Sequence, residues 1–204
     1  MNKKNVLLFD YGGVLGHDHL EEAERKLAQI MNVSVDEMNR RLSEKSFYGR
    51  AFRENKMTEY DFWEKVGGDA LEQYQPNELT QMWMDTYSLN REFYEFCGSL
   101  RLSSWVGVLT NIDIARSNLL KIILNVDNSF DFYFPSYEFG FSKDAPELWH
   151  KIDEAVRQRL SDIMIIYIDD RKEHVSSAQR INWKGILYKN LPDLKMELES
   201  IINY

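Results

Sequence analysis

Val6-Leu7-Leu8-Phe9 is apolar at every position and stops abruptly at Asp10-Tyr11-Gly12-Gly13. A strand with one wet face alternates polar and apolar residues. One that is apolar throughout is covered on both faces, as in a parallel sheet between two helical layers. Similar runs recur at 105–109 and 163–168, more weakly at 185–188, with 130–134 as a further short candidate. Between and after them the apolar spacing becomes helical, over 112–124, 146–160, 174–181 and 191–202. The last of these carries Leu194, Leu198, Ile201 and Ile202 on one face. Strand and helix in alternation imply an α/β fold, a Rossmann-like parallel sheet covered on both sides.

The stretch after the first strand breaks this alternation. Leu20, Ala23, Leu27, Ile30 and Met31 form a helical stripe, and Ser34 with Glu37, then Thr58 with Asp61, read as helix starts. Residues 58–66 and 76–89 supply further helical segments, and no strand is apparent. The expected organisation is a core of residues 1–15 and 90–204 interrupted by a small helical insert, 16–89.

Composition narrows the functional classes. Of 204 residues, 25 are basic and 33 acidic, a formal net charge of −8 that argues against nucleic acid as the main partner. The single cysteine, Cys97, offers neither an intramolecular disulfide nor a multi-cysteine zinc site. No apolar run approaches the roughly 18 residues of a membrane span. The run at 6–9 is shorter than the ~7–15 residues of a signal-peptide core. A cytoplasmic protein without a membrane or nucleic-acid partner, acting on a small phosphorylated metabolite, is the expectation; the oligomeric state is not readable.

Four places carry chemistry, each at or just past the carboxyl end of an expected strand, where open parallel sheets bind ligands. They are Asp10, Thr110-Asn111, Lys143 just before a helix, and Asp169-Asp170. Adjacent acids repel unless a cation neutralises them. With a third carboxylate they make a hard oxygen site suited to Mg²⁺. A carboxylate can also attack phosphorus, while a Lys and a hydroxyl can hold the phosphoryl oxygens. Gly12 and Gly13 let the backbone approach an anion.

These motifs, in this order, resemble the haloacid dehalogenase superfamily of aspartate-nucleophile phosphatases over essentially the whole chain. They are Phe9-Asp10-Tyr11-Gly12-Gly13-Val14-Leu15, Leu109-Thr110-Asn111, the stretch 136–149, and Ile168-Asp169-Asp170. In the third, Ser136, Glu138, Gly140, Lys143, Pro146 and Glu147 fall on the family pattern, with Asp144 in place of a Pro. The insert resembles the family's small helical cap. Residues 49–63 resemble the subgroup of sugar-phosphate phosphatases and the phosphatase half of soluble epoxide hydrolase. The resemblance implies Asp10 as nucleophile and metal ligand, the Gly12 carbonyl and Asp170 as further Mg²⁺ ligands, and Asp169 holding the metal or its waters. It implies Thr110, Lys143, Asn111 and the Gly12-Gly13 backbone around the phosphoryl group.

One position departs from that pattern. Most phosphatases of the family place a general acid/base Asp two residues after the nucleophile, and here that residue is Gly12. Such assistance is typically worth ~10²–10⁴-fold. His17, Asp18 and His19 follow closely and are candidate substitutes. The alternatives are substrates whose leaving groups need little protonation, a low-turnover phosphate-binding protein, or a 2-haloacid dehalogenase, against which the Asp169-Asp170 pair speaks. His174 reads as helix or loop support. Arg50, Arg53 and Lys56 read as a solvated basic face.

Overall fold

A computed structural model describes residues 3–17 and 19–202. In chain order the strands are β1 (Asn5–Phe9), β2 (Gly16–His17), β3 (Ser88–Leu89), β4 (Trp105–Thr110), β5 (Phe132–Pro135), β6 (Met164–Asp169) and β7 (Lys184–Leu187). Five of them form one parallel sheet in the order β5-β4-β1-β6-β7. The chain therefore builds outward from β1 on one side, then returns to build on the other. A crevice is left at the carboxyl end of the central strand, flanked by β4 and β6.

The helices of the 20–84 stretch are α1 (Leu20–Ile30), α2 (Val35–Leu42), α3 (Phe47–Arg53), α4 (Glu59–Gly67) and α5 (Pro76–Met84), with a 3₁₀ turn, Gly68–Glu72, after α4. Then come α6 (Arg91–Leu100), α7 (Ile114–Ile123), α8 (Val126–Ser129), α9 (Ser136–Phe139), α10 (Pro146–Arg159), α11 (Lys172–Arg180) and α12 (Leu191–Ile201). Side-chain caps start several of them. Ser34, Thr58 and Asp113 each accept a hydrogen bond from the backbone N–H three residues on, at 3.1, 3.1 and 2.9 Å.

The unbroken apolar run of β1 divides between two cores. Leu7 and Phe9 join Val106, Val108, Ile166 and Ile168 against Phe93, Leu100 and Leu198 of α6 and α12. Val6 and Leu8 point the other way, with Ile165 and Tyr167, onto Leu148, Trp149 and Ile152 of α10. All four are fully buried, each stabilising the fold by about 1.5–3 kcal/mol. The helices α1–α5 have a third core of their own, in which Phe52 stacks on Phe62 at 4.4 Å and Trp63 Nε1 donates to Thr80 Oγ1 at 2.9 Å.

One feature of this segment differs from expectation. Its two ends pair as an antiparallel ribbon, Gly16 with Leu89 and His17 with Ser88, so the helix expected to run to residue 89 ends at Met84. Two-residue strands are too short to show a period of two. The ribbon is buttressed by Tyr11, which stacks on Tyr87 at 5.4 Å and donates its hydroxyl to the Ser88 carbonyl at 3.1 Å. Among the described residues, no helix is long and apolar enough to cross a membrane.

Candidate active site

The parallel sheet delivers its polar residues to one edge. Asp10 follows the last residue of β1, Thr110 ends β4 with Asn111 next, and Asp169 ends β6 with Asp170 next. Lys143 comes from the loop between α9 and α10. Its N–H donates to Asn111 Oδ1 at 2.9 Å, and its carbonyl accepts from Trp149 Nε1 at 2.9 Å. Held at both backbone ends, the buried lysine places Nζ 2.6 Å from Asp10 Oδ1 and 3.0 Å from Asp169 Oδ2.

Asp169 is held by several donors. Its Oδ2 also accepts from the Tyr167 hydroxyl and faces His174 Nδ1 at 3.0 Å, while Oδ1 accepts from the Arg171 N–H at 2.8 Å. His174 thus supports the β6 loop, as its position in the sequence suggests. Asp10 Oδ1 additionally accepts from the Tyr11 N–H at 2.7 Å. One oxygen each from Asp10, Asp169 and Asp170 lie within 4.8 Å of one another. No other group of three or more His, Cys, Asp or Glu with metal-holding spacing occurs among the described residues.

Burial and proximity set the electrostatics. Burial pushes the Asp10 carboxyl up to about 7, with Lys143 opposing and the two neighbouring aspartates adding to the rise. Asp170 is raised by burial and by Asp169. Burial also works against Asp169, but Lys143, His174 and Tyr167 outweigh it and hold that carboxyl below the usual range. Carboxylates crowded in this way favour a bound cation. Gly13 explains how Asp170 fits. Its φ is +72°, and a Cβ there would overlap the Asp170 carboxylate.

The site opens into a cavity of about 790 Å³, whose walls include Asp10, Gly12, Thr110, Lys143, Asp170 and His17. This lies in the size range of small-metabolite pockets. Asp18 lies outside the described residues. His19 faces Ser88 Oγ at 2.8 Å.

The helical segment is tied to the loops that carry the site. Glu44, just past α2, accepts from Asn111 Nδ2 at 2.9 Å and pairs with Arg171. Although burial opposes it, these two partners pull the Glu44 carboxyl down to about 2, so it is ionised at neutral pH. Arg50 pairs with Asp144 at 3.1 Å, giving that departure from the family pattern a partner across the gap. The Ser136 hydroxyl donates to the Arg53 carbonyl at 2.8 Å, and Glu54 Oε1 accepts from the Ser142 N–H at 3.1 Å. Neither Glu44 nor Arg171 stands out in the sequence, because each is an ordinary charged residue until the fold joins them. The reading of Arg50, Arg53 and Lys56 as a solvated face fails at Arg53. It is 6% exposed, because α3 turns it inward to donate to the carbonyls of Gly49 and Leu42.

No protein-family model matches the chain, and no curated protein sequence does. Solved structures do. A predicted HAD-like family hydrolase from Porphyromonas gingivalis superposes with a TM-score of 0.76 at 17% identity, over 97% of this chain and 98% of the other. The chain has the haloacid dehalogenase (HAD) fold. A HAD family enzyme from Bacteroides thetaiotaomicron, solved with magnesium and inorganic phosphate, matches with a TM-score of 0.75 at 17% identity over 91% of this chain and 94% of that one. A structure described as a dehalogenase matches at 0.58 and 14% identity, over 90% and 84%. These likenesses show the fold, and the chemistry of this chain rests on its own side chains.

Proposed function

We propose that the chain is a Mg²⁺-dependent phosphatase of small phosphate monoesters, acting through an aspartyl-phosphate at Asp10. The observation that carries this reading is the meeting of three carboxylates and one buried lysine at a single point of the sheet edge. Three hard oxygen donors from Asp10, Asp169 and Asp170 suit Mg²⁺ better than a softer metal, and the family resemblance adds the Gly12 carbonyl. When bound, the ion would offset charge on the phosphoryl oxygens. Magnesium in the Bacteroides enzyme supports the same choice.

The chain's own residues then divide the work. Asp10, oriented by Lys143 and the Tyr11 N–H, attacks phosphorus as the ester P–O bond breaks and the leaving group departs with the electron pair. Water attack on the acyl phosphate returns the carboxylate and releases phosphate. Lys143 and Thr110 hold the phosphoryl oxygens, and Asn111 and Asp169 fix Lys143 in place. The helices α1–α5 act as a cap that closes the cavity from water. Gly12 has no side chain to protonate the leaving group. His17, a candidate from the sequence, lies in the cavity wall and could serve; esters with acidic leaving groups are the favoured substrates.

A panel of phosphate monoesters including p-nitrophenyl phosphate should show turnover with Mg²⁺ and none after EDTA, restored by adding the metal back. Metal-independent chloride release from 2-chloropropionate with no phosphatase activity would replace this reading with dehalogenation. Gly13→Ala should act on the metal site without replacing a ligand. A left-handed alanine costs about 1–2 kcal/mol, and the new methyl displaces Asp170. Mg²⁺ affinity, followed by calorimetric titration, is expected to fall roughly 10–100-fold, as for other changes beside metal ligands.

A further inference from the structure

We infer that the substrate's leaving group bears a second anion, a carboxylate or a phosphate, held by Arg116 and Arg53 in the same cavity; this deepens the phosphatase reading and rests on it for the first anion. Both arginines form part of the cavity wall. Arg116 is 2% exposed and rigidly mounted on the first turn of α7. Its Nε lies 2.5 Å from Asp113 Oδ2, its guanidinium sits 3.7 Å over the Trp83 ring, and Nη1 donates to the Tyr87 hydroxyl at 3.2 Å. Its Nη2 is buried with no hydrogen-bond partner. An unmet donor on a buried cation is costly, and a ligand that reached it would remove that cost.

Arg53, reaching in from α3, meets only neutral carbonyls through its amino groups. The charged side chains that act on it most strongly are Arg116, Asp113 and Glu44. Asp113 is committed to Arg116 and Glu44 to Arg171. Arg53 is thus a buried cation with no carboxylate of its own, which a ligand anion would balance. Burial, with Arg116 alongside, lowers Arg53 to about 10, which keeps it a cation at neutral pH. Arginine's planar fork suits carboxylate and phosphate alike. The two arginines, from α3 and α7, both lie against the Trp83 ring, at 5.5 and 3.7 Å, close enough for one anion to face both.

The test compares ligands that differ only in the second anion. Binding of 3-phosphoglycerate against glycerol 3-phosphate reads a carboxylate, and fructose 1,6-bisphosphate against fructose 6-phosphate reads a phosphate. Calorimetry on the Asp10→Asn variant removes turnover, and kcat/KM on the wild type gives the catalytic counterpart. At least one doubly anionic member should bind about tenfold or more tightly than its partner, the scale of a hydrogen-bonded charge. Arg53→Gln should collapse that ratio. Should it fail to fold, Arg116→Lys, which keeps the charge beside Asp113 but lacks the free amino group, should reduce the ratio likewise. Equal affinity within both pairs, or a ratio untouched by a folded variant, overturns the inference. Turnover without preference sinks the second-anion site and leaves the phosphatase reading standing. Preference in binding with no turnover of any ester does the reverse.

Discussion

Asp10→Asn is expected to lower phosphatase turnover by on the order of 10⁴-fold or more while leaving the protein folded. An amide cannot form the acyl phosphate, and losing a nucleophile is among the largest single effects on an enzyme. The fold should tolerate the change because Lys143 keeps its second partner, Asp169, at 3.0 Å. The metal-free protein even stands to gain. Asp10 is raised by burial from 3.8 to about 7, so the folded state binds its proton more tightly than the unfolded chain does. The resulting penalty is absent below pH 3.8, grows between 3.8 and 7, and is complete above 7. A neutral amide avoids it, so thermal unfolding in EDTA at pH 8 should occur at or above the wild-type temperature. Retained turnover in Asp10→Asn would show that the chemistry runs through another residue.

Asp113→Ala should produce the largest loss of stability among changes that spare the carboxylate cluster. Asp113 is wholly buried, caps α7 through the Arg116 N–H at 2.9 Å, and neutralises the Arg116 guanidinium at 2.5 Å. Removing one partner of a buried pair strands the other charge, typically at about 3–5 kcal/mol. In a domain of this length that corresponds to a fall in Tm of roughly 10 °C. Replacing both partners, Asp113→Ala with Arg116→Met, should recover much of the loss, since no charge is then stranded. A single variant that melts with the wild type would mean that water reaches Arg116 and screens it.

The parallel sheet was readable because β1 and β6 are buried on both faces, which forces apolar residues at every position and an abrupt polar stop where the strands end. Those stops are Asp10 and Asp169, so fold and carboxylate cluster were legible from one signal. Lys143 was legible through the 136–149 pattern and its place before a helix; that Asn111 and Trp149 fasten both ends of its backbone was not. The β2–β3 ribbon was not legible, since two residues a side carry no periodicity. Arg53 misled for a different reason. Its neighbours Arg50 and Lys56 do pair near the surface, with Asp144 and Glu54, and three basic residues in a row of turns look alike until the helix is oriented. Glu44 and Arg171 meet across 127 residues of sequence separation, a pairing that no local pattern encodes.

Asn111 gives its oxygen to the backbone of Lys143 and its amide to Glu44. One side chain therefore belongs at once to the proposed phosphate site and to the tether of the α1–α5 segment. Any ligand that shifts Lys143 alters the strength of that tether, and thermodynamic reciprocity makes the posture of the segment alter affinity by the same factor. Occupancy should consequently be visible far from the sheet, as changed protease susceptibility or amide-hydrogen exchange in α2 and α3.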